Sequence, residues 1–205
     1  MAVSNSGCVA KCINGSRNFK QEQQNQVDWV ATSGILAVDI SSTHNHTSRS
    51  RMHVFKVLIL GIGNPLRSDD GVGWWLASEL LREMRRDDVR VIATQQLMPE
   101  ISEMASHAER VLFIDATASG EPGTLEFKQI TPGCLSRHSH QLSPAGVLKL
   151  AQDLYGRCPT AFLLTIAGES FGTGDSLSAK VAAALPRAKT EVAHFIEGAR
   201  EVEGT

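Results

Sequence analysis

Several features are scarce in this sequence, and each shortage excludes a class of protein. Four cysteines in 205 residues are too few for a disulfide scaffold. No run of 18 or more apolar residues occurs, which excludes a transmembrane helix. Neither sign of charge dominates: the net charge is −2 at pH 7, so there is no global basic field for nucleic acid or an anionic membrane. With 42% hydrophobic and 20% charged residues, the chain has the composition of a soluble globular protein.

The first 51 residues differ from the remainder. Residues 14–26 and 41–51 are almost wholly polar and bury too little apolar surface to offset the entropy of ordering. Residues 27–40 are mildly apolar and predict one short element. No signal peptide is recognisable, because the basic start, apolar run and cleavage site are missing. We therefore expect residues 1–51 to be an irregular extension, the natural start to lie at Met52, and one domain to span residues 52–205.

From residue 54 onward, apolar runs alternate with amphipathic stretches. Strands are predicted at residues 54–60, 88–93, 110–114, 124–130 (an edge strand) and 160–167. Helices are predicted at residues 72–86, 99–107 and 143–155, and from Ser178 with a break or kink at Pro186. This alternation predicts an α/β fold: a single three-layer domain with a mostly parallel sheet and helices on both faces. Functional sites of such sheets form at the carboxyl ends of the strands.

The segment from Gly61 to Gly73 follows the first of these strands and is the most informative in the chain. Its glycines allow a tight turn, but Leu66 stands where a dinucleotide-binding fingerprint needs a third glycine, and a Walker Gly-Lys-Ser/Thr is absent. Asp69 and Asp70 suit a helix N-terminus but would repel a phosphate placed there. Thus the glycines favour a turn over a nucleotide cradle. We expect one of the two aspartates to cap the following helix.

Two further side chains fall at the same predicted edge of the sheet, where the strands have their carboxyl ends. Asp115 directly follows the strand at 110–114, and His140 lies in a loop before a helix. Alone, each has an ordinary explanation, a turn-forming aspartate or a surface histidine. Together with Asp70, they provide two oxygen ligands and one nitrogen ligand, a reasonable set for a divalent transition metal such as nickel or zinc.

These residues also carry a family resemblance. Residues 58–73, with the core Ile-Leu-Gly-Ile-Gly-Asn-Pro-Leu-Arg-Ser-Asp-Asp-Gly-Val-Gly, strongly resemble the opening of the [NiFe]-hydrogenase maturation endopeptidases. The resemblance continues through residues 113–116, 139–142, 167–170 and 177–178, and spans about 54–195. One departure is residues 95–100, which replace a glycine-rich turn found in some members.

The resemblance implies a twisted five-stranded sheet between helices, and a definite activity. Such an enzyme removes the C-terminal extension of a hydrogenase large-subunit precursor after nickel insertion, in the cytoplasm. Asp70, Asp115 and His140 would be the catalytic and metal-contacting residues, and the nickel would be supplied by the precursor. We expect no nucleic-acid or membrane partner.

Two other classes of function compete with this one. The same acidic site could hold nickel, or dock a hydrogenase subunit, without cleaving a peptide bond. A nucleotide-binding Rossmann-like protein is disfavoured by Leu66 and the paired aspartates. Which of the three site residues acts as a base is left open by the sequence.

Overall fold

A computed structural model of the chain describes residues 29–32, 35–38, 55–133 and 142–198. The strands are β1 (Trp29–Thr32), β2 (Ile35–Val38), β3 (Phe55–Ile62), β4 (Val89–Thr94), β5 (Ala108–Thr117), β6 (Leu125–Ile130) and β7 (Thr160–Ala167). The helices are α1 (Val72–Glu83), α2 (Ile101–Ser106), α3 (Pro144–Tyr155) and α4 (Ala179–Glu197). No helix in these ranges is long and apolar enough to cross a membrane.

The strands form one sheet in the order β1-β2-β4-β3-β5-β7-β6. Strands β4, β3, β5 and β7 pair in parallel, and β6 pairs antiparallel with β7 at the edge. The predicted five-stranded, mostly parallel sheet and its edge strand are therefore confirmed. Within residues 27–40, for which one short element was expected, the structure describes two strands, β1 and β2. They pair antiparallel with each other, and β2 pairs antiparallel with β4. The rest of the predicted 1–51 extension lies outside the described residues.

Helices cover both faces of the sheet, because the central strands are apolar on both sides. In β3, Val57 and Ile59 join a cluster that includes side chains of α1 and α4, whereas Leu58 and Leu60 join a second cluster with α2 and α3. Side chains alternate between faces along a strand, so a strand buried on both faces reads as a continuous apolar run. The three-layer α/β prediction is confirmed.

The ends of α3 lie where the sequence places them. The Ser143 hydroxyl accepts a hydrogen bond from the Gly146 N–H at 3.1 Å, Pro144 opens the helix, and Gly156 ends it in the left-handed conformation with φ 66°. Of the break or kink predicted at Pro186, the break is absent, since α4 runs unbroken through that residue. Its buried side chains, among them Val181, Val192 and Phe195, pack into the core and outweigh the loss of one backbone hydrogen bond.

Candidate active site

The site lies at the carboxyl edge of the parallel strands, where β3, β5 and β7 end together. Two loops emerge there: residues 63–71, here called the β3 loop, and residues 168–178, here called the β7 loop. The β3 loop starts at Gly63, whose φ of +135° is accessible mainly to glycine. A side chain at Gly63 would also overlap the carbonyl oxygen of Asp70. The turn that the glycines predicted is therefore required by the backbone itself.

Helix α1 begins directly on this edge. Gly73, in its first turn, lies against the ends of β3 and β5, where an added Cβ would overlap the carbonyl oxygens of Ile62 and Ile114. This close approach places the β3 loop, just before α1, over the end of β5.

The two neighbouring aspartates of the β3 loop have different surroundings. Both lie in a 3-10 helix, Ser68–Gly71, that leads into α1. Asp70 is half-buried, and its Oδ2 accepts a hydrogen bond from the Asn64 N–H at 3.1 Å. Asp69 is fully buried. The expectation that one of them caps α1 is wrong: Gly71 occupies the N-cap position and no side chain caps the helix.

Asp69 is instead bound to the β7 loop. Its Oδ2 accepts hydrogen bonds from the Glu169 and Ser170 N–H groups at 2.8 and 2.9 Å, and its Oδ1 accepts one from the Ser178 N–H at 2.7 Å. Burial by itself raises the pKa of Asp69, but these N–H groups and the Ser178 hydroxyl outweigh it and hold the pKa below its ordinary value. Sequence reasoning missed this role. The resemblance at residues 167–170 and 177–178 was the signal that marked the partner segments.

Asp115 lies inside β5 rather than directly after it, which corrects the predicted strand end. The strand continues to Thr117 because its pairing with β7 extends to Thr117 opposite Ala167, beyond the apolar run. The Asp115 Oδ1 accepts a hydrogen bond from the Ala116 N–H at 2.8 Å.

The environment of Asp115 makes it keep its proton to a higher pH than an ordinary aspartate does. Burial raises its pKa to about 6, the Ala116 N–H works against this rise, and the negative charge of Asp70 adds to it. The structure therefore brings Asp70 and Asp115 close enough to repel each other. A bound cation would relieve that repulsion, and carboxylate oxygens are suitable ligands for one.

His140, the third predicted ligand, lies outside the described residues. The nearest described residue after it, Leu142, packs against the apolar cluster on the α2 and α3 face of the sheet. Asp115 points to this same face, since Phe113, two residues before it, belongs to that cluster. Within the described ranges, no three His, Cys, Asp or Glu side chains are grouped to hold a metal ion. Asp70 therefore lies close enough to Asp115 to affect it electrostatically. The convergence of Asp70, Asp115 and His140 on one metal ion stays a prediction.

Solved structures of known proteins share the fold of this chain. No protein-family model and no curated protein matches the chain. Among solved structures, the hydrogenase maturating endopeptidase HybD from E. coli is similar with a TM-score of 0.61 and 23% identity, over 71% of this chain and 94% of that one. At this identity the similarity establishes the fold alone.

Two archaeal structures are somewhat closer in sequence. The [NiFe] hydrogenase maturation protease HycI from Thermococcus kodakarensis is 26% identical with a TM-score of 0.56, over 69% of this chain and 92% of that one. The hydrogenase 2 maturation peptidase from a Thaumarchaeota archaeon is 25% identical with a TM-score of 0.52, over 71% and 99%. The similarity to the [NiFe]-hydrogenase maturation endopeptidases that the sequence motifs indicate is therefore confirmed.

Proposed function

We propose that this protein is an endopeptidase that removes the C-terminal extension of a [NiFe]-hydrogenase large-subunit precursor after nickel insertion. The observation that carries the proposal is the pair of carboxylates at the carboxyl edge of the sheet, where Asp70 lies close enough to Asp115 for its charge to act on that buried group. It is supported by the similarity to a solved [NiFe] hydrogenase maturation protease. The enzyme would act in the cytoplasm.

In this proposal, nickel belongs to the substrate and arrives with the precursor. A divalent ion can polarise the scissile carbonyl or lower the pKa of a water molecule. Asp70, Asp115 and His140 would contact the ion, and the precursor would complete its coordination, with thiolates as suitable ligands. Three ligands in an open site bind nickel weakly on their own. Such an enzyme would distinguish nickel-loaded precursor from empty precursor, because only the loaded form brings the ion.

The raised pKa of Asp115 is compatible with this chemistry. A carboxyl group with a pKa of about 6 is mostly ionised at neutral pH, so it can bind a cation there. It is also a better proton acceptor than an ordinary aspartate. Asp115 would act as a ligand when it is coordinated to the cation and as a proton acceptor when it is not. The proposal holds in either role.

The proposal is tested by following the mass of the precursor tail. We expect the wild-type enzyme to trim nickel-loaded precursor and leave nickel-free precursor intact. Asp70→Asn and His140→Ala should each lower the rate by at least ~10-fold, since losing even a group that supports a metal ligand typically costs about 10–100-fold. Asp153→Asn, at an exposed position on α3 where the carboxylate pairs with Lys149, is the matched control and should be as active as wild type. Efficient trimming of nickel-free precursor, or full activity of His140→Ala, would contradict the mechanism.

The competing function is a docking or nickel-holding module without protease activity. The same acidic pair supports it, because two carboxylates bind a cation whether or not a bond is cut. The two functions separate in one assay. A docking module would bind loaded precursor, as seen by co-elution in gel filtration, and leave its mass unchanged over hours.

A further inference from the structure

Asp69 has no place in the reaction proposed above, yet it makes three backbone hydrogen bonds and is fully buried. We propose that Asp69 is a positioning residue: by joining the β3 loop to the β7 loop, it holds the neighbouring Asp70 in the orientation that the site requires. This inference rests on the proposed function for its catalytic consequence, but its structural part can be tested separately.

Main-chain hydrogen bonds at neighbouring residues also join the two loops. The Asp69 N–H donates to the Ser170 carbonyl at 3.0 Å, so Asp69 bonds the β7 loop through both its main chain and its side chain. One residue earlier, the Ser68 N–H donates to the Gly174 carbonyl at 3.0 Å. The Gly174 N–H in turn donates to the Leu66 carbonyl at 3.0 Å. The two loops therefore form one hydrogen-bonded unit, and the Asp69 carboxylate is its buried centre.

A carboxylate is the side chain that this position needs. Three N–H donors converge on it from Glu169, Ser170 and Ser178, and an ionised carboxylate accepts through both oxygens. An amide side chain would present an NH₂ group to at least one of these donors, leaving it unpaired in a buried place. Asp69→Asn keeps the size of the side chain and breaks at least one of its three bonds to the β7 loop.

The carboxylate link adds to the backbone bonds between the two loops, and it lies directly beside Asp70. Ser68 has a φ of +50°, a left-handed conformation that a serine adopts at a cost unless its surroundings hold it. Asp70 follows Asp69 directly, and its Oδ2 accepts a hydrogen bond from the N–H of Asn64 in the same loop. If the loop separates from the β7 loop, that bond is expected to loosen and Asp70 to turn away from Asp115.

The experiment compares Asp69→Asn with Val192→Ala, which weakens the core in the C-terminal half of α4 without touching either loop. Amide hydrogen exchange measured by NMR reports on Asp70 through the Asn64 N–H. In Asp69→Asn, we expect the exchange rate of the Asn64 amide to rise at least tenfold relative to the rates of the β3 amides. In Val192→Ala, the ratio of these rates should stay as in wild type. With nickel-loaded precursor, kcat should fall at least tenfold in Asp69→Asn with KM little changed, and neither should move in Val192→Ala.

Unchanged protection of Asn64 in a folded Asp69→Asn variant would overturn the inference, as would an equal effect in Val192→Ala. If Asp69→Asn does not fold, Ser178→Pro tests the same link: it removes one donor at a residue whose φ of −61° suits proline. The exchange measurement needs no substrate. A protein that shows the Asn64 effect but cleaves no precursor would therefore disprove the protease and keep the positioning role.

Discussion

The buried carboxyl group of Asp115 lowers the stability of the fold at neutral pH. Its pKa is about 6 in the folded protein against an ordinary value of 3.8, so the folded state retains a proton that the unfolded state releases. Stability contributed by this group is therefore present at low pH and is lost as the pH rises from about 4 through 6.

We predict that Asp115→Asn is more stable than wild type, and that its advantage grows by about 2 kcal/mol between pH 4 and pH 7. Urea unfolding at the two pH values measures the difference. The same comparison in an Asp70→Asn background is the control, since removing the Asp70 charge lowers the pKa of Asp115 and should shrink the advantage. An advantage independent of pH would show that the Asp115 carboxyl titrates normally.

The sequence was sufficient to propose Asp70 and Asp115 as site residues. It did not indicate that Asp69 positions the loop that carries Asp70. Asp70 and Asp115 could be proposed because both follow or end an apolar strand of a parallel sheet. Asp69 has the same side chain as its neighbour, and no local pattern separates them. Its partners Glu169, Ser170 and Ser178 lie 100 or more residues further along the chain, so only the three-dimensional structure reveals its role.

The start of α1 is sensitive to a single methyl group. We predict that Gly73→Ala destabilises the protein by about 2–3 kcal/mol, because the new Cβ would overlap backbone atoms of β3 and β5 rather than a flexible side chain. The helix must move away from the sheet, and the β3 loop with it. Precursor cleavage should therefore fall more than the loss of stability explains.

Thermal unfolding of Gly73→Ala should be read beside Gly172→Ala in the β7 loop. An added Cβ at Gly172 meets no atom within 4 Å, so this variant should unfold like wild type. Equal unfolding temperatures for Gly73→Ala and wild type would mean that α1 and the sheet edge adjust at no cost.

Elements with local signals were predictable, and those shaped by distant contacts were not. Helix α3 carries Ser143, Pro144 and Gly156 at its ends, and its limits agree with the structure. The proline in α4 indicated a break that packing overrides. The extra residues of β5 are polar or small, and their strand conformation comes from pairing with β7. Hydrogen bonding to a neighbouring strand leaves no periodic pattern in the sequence.

Among the side chains that the structure describes, residues from Phe55 onward supply two apolar clusters. The strand β2 pairs with β4 over three residue pairs, from Ile35↔Thr94 to Ala37↔Ile92. We predict that a chain beginning at Met52 folds, with a melting temperature no more than about 4 °C below that of the full chain, equivalent to about 1 kcal/mol. Differential scanning calorimetry of the two chains measures this. A larger decrease would show that residues 1–51 contribute to the core.

The strands β1 and β2 show how far composition alone can locate structure. Apolar runs mark β3, β4, β5 and β7 as buried strands, and an alternating pattern marks β6. The segment at 27–40 has fewer apolar residues, which predicted one element but did not indicate two paired strands. The strand β2 pairs with β4, a partner that the sequence does not identify.

The long separation between Asp69 and its partners has a consequence for the synthesis of the protein. A ribosome releases the β3 loop early, but the N–H groups that fix it belong to residues 169–178, close to the last helix. Contacts this far apart in sequence close late in folding. Nascent or C-terminally shortened chains would therefore hold a partly formed sheet with an unfixed acidic loop. The proposed peptidase activity would therefore appear only after almost the whole domain had left the ribosome.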